Sequence, residues 1–328
     1  MVISSFKMAN KTESVISEKY QIFTEQLTKY AGIPLYILCF YGTTMNIIIF
    51  SQRIYRHRSG SLYLLFAAIC DCLYLNIGPL ANILQYGFHF NWNIRSIVFC
   101  KIKSYLLFAL MANSATLTCF ASINQYVLSS KKHKRWKFSS KKIALRCIVL
   151  TIIIWSIASS PLAVCYTQYS HSSENEQLVC TNSLQNTFCL LSQIFHICLI
   201  HGFLYPFLML FLGIRTYRNI HQIHQKSLLK SAQIRYVNYQ ITLVLILQSI
   251  KSSLTSLPFA FFNSYILITM KYDKSLFSQM KETLVGQLTY LLFWSNYTSF
   301  FLYMHTSTIF KEQWKRIMKK IFCCSQRK

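Results

Sequence analysis

Between Ala31 and Phe50 the chain runs without a charged side chain, and six further stretches nearly as apolar follow it at roughly 61–86, 98–128, 143–168, 188–214, 237–268 and 284–308. Crossing the hydrocarbon of a bilayer takes about 20 largely apolar residues in a helix, because only a segment that satisfies its own backbone groups survives where there is no water. Each stretch meets that length. The sequence therefore predicts an all-α membrane protein, a seven-transmembrane helix bundle. Pro79, Pro161, Pro206 and Pro258 fall inside the stretches and are compatible with them, since neighbouring helices re-satisfy the backbone groups that a proline frees. Composition agrees: 53% of the residues are hydrophobic and 13% charged, about half the charged share of an average soluble domain. That leaves too little polar surface for the chain to stay in water.

Charge sets the expected orientation. The formal net charge of +25 would by itself suit nucleic acid, but the cations cluster between apolar stretches instead of lining one exposed face. No nucleic-acid partner is expected; the contact is with membrane lipids. Loops rich in Lys and Arg stay in the cytoplasm. With the N-terminus outside, the cytoplasmic side holds 22 Lys and Arg and one acid, Glu312, while the outer side holds eight cations and seven acids. Lys101, Lys103, Arg146 and Lys251 fall inside the nominal spans and do not reverse the result. The expected organisation is an extracellular tail over 1–30, a membrane domain over 31–308, and a short amphipathic surface helix with a cytoplasmic tail over 309–328. The expected location is the plasma membrane. Residues 1–30 lack the apolar core of a signal peptide, so the first span is expected to target the chain. The sequon Asn10-Lys11-Thr12 fits an outer tail, because glycosylation needs the lumenal side; a chance triplet is the alternative.

Cys100 stands at the outer start of the third span and Cys180 in the outer loop after the fourth. A disulfide between them would tie that loop across the mouth of the bundle; two unpaired thiols is the other reading. Most of the remaining cysteines lie inside spans, where Cys acts as a small apolar residue. Cys323 and Cys324 instead follow the basic amphipathic segment Phe310 to Phe322, a placement that suits reversible palmitoylation or an unmodified tail.

Several residues have a familiar relative placement. Asn46 stands in "GTTMNIIIF", Asp71 in "LLFAAICDCL", and Cys100, Trp155, Pro206 and Pro258 in the third to sixth spans; "SFFLY", Ser299 to Tyr303, closes the seventh, with Phe310 beyond it. Over roughly residues 30 to 322 this set resembles the rhodopsin-like (class A) G-protein-coupled receptors. "NYTSFFLY" is also similar to FMRFamide-type peptide receptors, which places a neuropeptide among the ligands implied. In the family the end of the third helix carries D/E-R-Y. Here Asn124, Gln125 and Tyr126 stand in its place. The resemblance implies that these residues, with Tyr303, meet a heterotrimeric G protein. The family's acid holds its arginine at rest and releases it on activation, whereas Asn124 and Gln125 are expected to exchange neutral hydrogen bonds of about 1 kcal/mol. A chance polar helix end is the alternative.

Asp71 is the sole acid in any predicted span, and an acid in a membrane marks a functional site because its burial is costly. The resemblance puts Ser114, Ser295, Asn296 and Ser299 near it, oxygen ligands like those of the family's sodium pocket and suited to a hard cation. A protonated Asp71 bonded among the same groups is the alternative. No other cofactor is implied. Lys251, within the sixth span, is expected to snorkel or to pair with a carbonyl.

The departures are also specific. Thr255-Ser256-Leu257-Pro258 replaces the family's C-W-x-P, Ser299 and Phe300 replace Asn and Pro in the seventh span, and Ile214 stands at a usual tyrosine. Leu107 occupies the position of the amine receptors' aspartate and Phe293 that of the opsins' retinal lysine, so amine and retinal lack their chemistry. Tyr86, Phe90, Trp92, Gln168, Tyr169, Phe262 and Tyr265 form an outer mix of aromatic and polar groups. That mix suits a peptide or other small ligand, with Leu107, Gln168, Phe262, Tyr265 and Phe293 as candidate contacts; an interfacial aromatic belt is the bland reading. Glu174 and Glu176 on the loop after the fourth span would attract a basic ligand or simply be solvated. His221 and His224 have no nearby acid or cysteine for a metal, and His196 and His201 are expected to face the bundle as hydrogen-bonders. No catalytic constellation appears. A receptor that drives G-protein nucleotide exchange is the leading reading. A receptor-fold ligand trap or partner of another receptor is kept open by the missing arginine. A transporter or channel would need an inverted repeat or paired charges at mid-membrane.

Overall fold

The structure, a computed structural model, describes residue 16 and residues 18–90, 96–129, 139–170, 178–182, 187–224, 232–269, 272 and 274–325, with backbone alone at 167–170, 178–182, 198–199, 220–224, 232–239, 241, 276 and 321–325. Six helices among the described residues are long and apolar enough to cross a membrane: Glu18–Phe50, Ser59–Phe88, Ile97–Leu128, Lys141–Cys165, Thr187–Asn219 and Thr242–Thr269. The seventh expected span is helical but divided. Leu276–Trp294 ends in a single 3-10 turn, Ser295–Tyr297, and the helix resumes over Ser299–Thr306.

Local chemistry accounts for the helix ends. Ser96, Ser140 and Ser275 each accept from a backbone N–H three residues on, the N-cap arrangement that satisfies an otherwise orphaned donor. The second span is punctuated at Gly78-Pro79 and stops where His89 turns left-handed at φ 55°. The helix that carries the first span begins at Glu18, ahead of the apolar run and inside the segment expected to be a polar tail. The fifth and sixth helices run on to His224 and back to Ala232, past the ends at 214 and 237 read from hydropathy. The reason is shared: hydropathy marks where a helix is apolar, while a helix that makes its own backbone bonds continues beyond the hydrocarbon.

The fourth span is the reverse case. Its helix ends at Cys165, and the residues expected to complete it form a strand, Tyr166–Ser170, paired antiparallel with Leu178–Asn182 so that Gln168 faces Cys180. The all-α reading therefore gains one hairpin.

The third helix is the central post. Two thirds (67%) of its apolar window is buried, against 22% for the fourth. Ile157, Val164, Phe207, Leu254 and Phe261 remain exposed on the outside of the bundle, as expected of side chains facing lipid. One core cluster, with Ile49, Leu117, Met209, Phe300 and Phe310, occupies the end rich in cations; a second, with Leu75, Phe108, Phe259 and Phe293, fills the opposite half. Beyond Ser307 the helix Thr308–Ser325 buries Phe310 and packs Ile309, Trp314 and Ile317 on the first cluster, leaving Lys311, Lys315, Arg316, Lys319 and Lys320 exposed. This is the amphipathic surface helix.

Candidate functional site

At the cation-rich end, the Asn124 carbonyl oxygen accepts two hydroxyls, from Ser59 at 2.8 Å and Ser139 at 2.7 Å. Asn124 and Gln125 are both buried, yet they do not exchange the hydrogen bond expected from their adjacency. Successive residues on a helix point about 100° apart, and the two hydroxyls already hold the Asn124 amide. Gly60 lets this happen. A Cβ there would lie 2.9 Å from Asn124 Nδ2 and 3.2 Å from Gln125 Nε2, so a larger residue at the start of the second helix would have to push the two amide ends aside. Asn124 Nδ2 is left buried without a partner. Ser59 and Ser139 are components that sequence reading missed, because isolated serines near loop ends carry no signal of their own.

A polar seam joins the sixth helix to the seventh. Gln240 Nε2 donates to Thr308 Oγ1 at 2.9 Å, and Ser307 Oγ donates to Gln240 Oε1 at 2.9 Å. Tyr303 Oη donates to Gln248 Oε1 at 2.9 Å, and Ser252 Oγ donates to Asn296 Oδ1 at 2.9 Å. Lys251 Nζ donates to the Asn296 carbonyl at 3.2 Å and to Thr298 Oγ1 at 2.8 Å. Gln240, Gln248, Lys251 and Ser252 share one helical face by their spacing, a signal available in advance, since polar side chains within a span seek partners. Tyr303 also packs edge-on in an aromatic cluster with Phe50 at 5.7 Å and Phe310 at 5.3 Å. Trp314 Nε1 donates to Tyr41 Oη at 3.4 Å, adding a tie from the surface helix to the first span.

In the core, Ser114 Oγ donates to the half-buried Asp71 carboxylate. The other oxygens implied for a sodium ion are turned elsewhere. Ser295 Oγ donates to the Leu292 carbonyl at 2.6 Å, Ser299 Oγ accepts from Asn46 Nδ2 at 3.1 Å, and Asn296 is held by the sixth helix. Trp155 Nε1 donates to Thr116 Oγ1 at 2.8 Å, locking the fourth helix to the third. His196 is buried, its ring nitrogens 3.2 Å from Ser159 Oγ and 2.9 Å from the Ser192 carbonyl oxygen. His201 is equally buried, but its Nε2 has no partner. Among the described residues no group of three or more His, Cys, Asp or Glu converges as a metal site.

The opposite end holds the candidate ligand contacts. Phe293 is 2% exposed and stacks on Phe259 at 4.3 Å, so it is core and not the lining of an open vestibule. Leu107 packs half-buried against the same cluster. Phe262 lies over Gly286, and Tyr265 is exposed with its hydroxyl donating to Glu282 Oε1 at 2.9 Å. Lys274 Nζ bridges to Glu282 Oε2 at 2.7 Å. Gln168 and Cys180 are described by backbone only, and Cys323 and Cys324 likewise on the terminal helix. Asn10, Trp92, Glu174 and Glu176 lie outside the described residues.

Cys100 is disulfide-bonded. A further disulfide, Cys165–Cys189, joins the fourth and fifth helices where both meet the hairpin loop, with Cα atoms 5.4 Å apart. By hydropathy both cysteines are apolar residues of spans. Their placement at two helix ends facing each other across one loop is a tertiary fact.

A bundle of membrane-crossing helices around a central third helix, with polar contacts that can be exchanged at its cation-rich end, is the architecture of a seven-helix transmembrane receptor. Residues 42–322 match the model of the 7 transmembrane receptor (rhodopsin family), and the chain belongs to that family. A comparison with curated proteins finds no match. The chain is thus a multi-pass class A G-protein-coupled receptor and not an enzyme; the family works between an extracellular ligand and a G protein.

Proposed function

We infer that this receptor lies in the plasma membrane with its N-terminus outside, binds a peptide at the end that carries Phe262 and Tyr265, and drives nucleotide exchange on a G protein at the cation-rich end. The excess of Lys and Arg in the loops of that end supports the orientation. Asn10 is then a glycosylation site, the Cys100 disulfide is made to Cys180, and Cys323 and Cys324 are palmitoylation sites. Exposed Tyr265 and half-buried Phe262 beside the Lys274–Glu282 pair offer apolar and charged contacts together, as a peptide with a basic or amide-rich end requires.

The observation that carries the coupling reading is the seam from Gln240 to Lys251. A helix held to its neighbour by hydrogen bonds that are neutral at Gln240, Gln248 and Ser252 and involve a cation at Lys251 alone can leave it at modest cost, which makes the sixth helix the two-state element of the switch. Asn124, Gln125 and Tyr126 then meet the G protein, with Asn124 held at rest by Ser59 and Ser139 in place of an ion pair. One observation favours a second reading, a receptor that binds ligand without coupling: Gln125 offers a G protein no guanidinium.

Reconstituted receptor with purified G protein separates the two. Native exchange above the G protein's own rate, enhanced by Gln125→Arg and lowered again by adding Asn124→Asp, supports coupling. No exchange from native, single or double variants, each correctly folded and tested across a peptide library with demonstrated binding, supports the trap.

A further inference from the structure

We propose that a groove at the cation-rich end, between the second helix and the start of the fourth, binds one anionic phospholipid, with its headgroup on Arg56 and Lys141 and its acyl chains on Leu62, Leu65, Phe66 and Leu145. These residues line a cavity of about 400 Å³, within the size range of small-molecule sites. Its lining divides by depth. Arg56 ends the short helix Arg53–Arg56 that follows the first span, and Lys141 is the first residue of the fourth helix, so both cations stand at the loop end. Leu62, Leu65 and Phe66 belong to the second span, and Leu145 lies one turn beyond Lys141. The apolar part of the groove therefore reaches toward the hydrocarbon.

Charge selects the headgroup. Arg56 and Lys141 are exposed, and no ion pair among the described residues involves either of them. The loops and tail of this end supply a single acid, Glu312, against their many cations. Lys141 also stands where the fourth helix presents the positive end of its dipole. A free anion would satisfy these charges but leave the apolar lining uncovered. On the fourth helix Leu145, 39% exposed, is followed on the same face by Val149, 56% exposed, so the groove opens sideways to the bilayer and not into the bundle. An anionic head joined to hydrocarbon chains matches both halves, and such lipids gather beside basic segments at a membrane surface. Arg56 just precedes Ser59 and Lys141 just follows Ser139, the two residues whose hydroxyls hold Asn124. A headgroup shared by the two cations would brace both of those segments. Binding of this kind requires only that the helices cross a bilayer, whichever way the chain is oriented and whether or not it couples.

The test titrates the purified full-length chain in neutral detergent with dioleoyl phosphatidylserine or dioleoyl phosphatidylcholine, which share their chains, and counts bound lipid by native mass spectrometry. The native chain is expected to retain one phosphatidylserine much more tightly than any phosphatidylcholine. Arg56→Gln combined with Lys141→Gln should weaken that lipid about thirty-fold, and each single change about five-fold, the worth of one cation at a membrane surface. Both side chains are exposed, so the fold should survive the double change; the singles decide if it does not. Lys319→Gln combined with Lys320→Gln, on the exposed face of the terminal helix, should leave the lipid in place. Inorganic phosphate replacing chloride at constant ionic strength should not displace it. Undiminished binding in the Arg56 and Lys141 variants, loss in the Lys319 and Lys320 variant, equal retention of phosphatidylcholine, or displacement by phosphate would each overturn the proposal.

Discussion

Removing one oxygen atom from the seam should shift the resting balance of this receptor measurably. Tyr303→Phe deletes the hydroxyl that donates to Gln248 Oε1 at 2.9 Å and leaves the ring in place against Phe50 and Phe310. Tyr303 is buried and Gln248 half-buried, so the bond is not simply exchanged for one with water, and its net worth is about 1 kcal/mol. If it exists only while the sixth helix lies against the seventh, its loss raises the ratio of open to closed receptor about five-fold. Basal nucleotide exchange on reconstituted G protein should rise by a similar factor at equal receptor concentration. Gln248→Met removes the acceptor and leaves the Tyr303 hydroxyl buried without a partner, so its effect should equal or exceed that of Tyr303→Phe. The double variant should then resemble Tyr303→Phe, because both changes break one bond, and the cycle should show a coupling of about 1 kcal/mol. Single effects that multiply in the double variant, or basal exchange that is unchanged or lower in both well-folded singles, would refute the idea that this bond holds the receptor closed.

Other perturbations test the supports of the fold. Cys165→Ser and Cys189→Ser should each lower stability by about 3 kcal/mol for a loop of this size, with the double variant no worse than either; additive losses in thermal unfolding would show that the two thiols act apart. Glu282→Gln leaves Lys274, with which Glu282 pairs at only 16% exposure for each side chain, without its counter-ion; a loss of about 1–2 kcal/mol is expected, and an unchanged unfolding temperature would dismiss the pair as a support. Ahead of the apolar run of the first span, Lys29, then His89, hydrogen-bonds the Glu25 carboxyl and holds it below the ordinary carboxylate range. A group depressed in the folded state stabilises above its unfolded value and loses that contribution as pH falls through its folded one. The stability difference between native chain and Glu25→Gln should therefore hold from neutral pH to about pH 4.3 and shrink below it; a difference that grew on acidification would contradict the contact.

The runs of apolar residues determined the class of this protein by themselves. Transfer of a side chain into hydrocarbon is a local quantity that adds along a segment, so the stretches near 31–50 and 143–168 announce spans without knowledge of their neighbours. The surface helix was legible for the same reason: Phe310, Trp314 and Ile317 repeat at helical spacing among the cations of residues 311 to 320. Asp71 stood out because a charge in such a run is costly wherever it points. What each polar group touches was decided only in three dimensions. Asn124 faces Ser59 and Ser139 and not its neighbour Gln125, Cys165 meets Cys189, and Lys251 finds Asn296 and Thr298. A hydrogen bond depends on the rotation of two helices about their axes and on where one of them breaks. Hydropathy averages over rotation, and the 3-10 turn at Ser295–Tyr297 that frees a carbonyl for Lys251 leaves no trace in an apolar count.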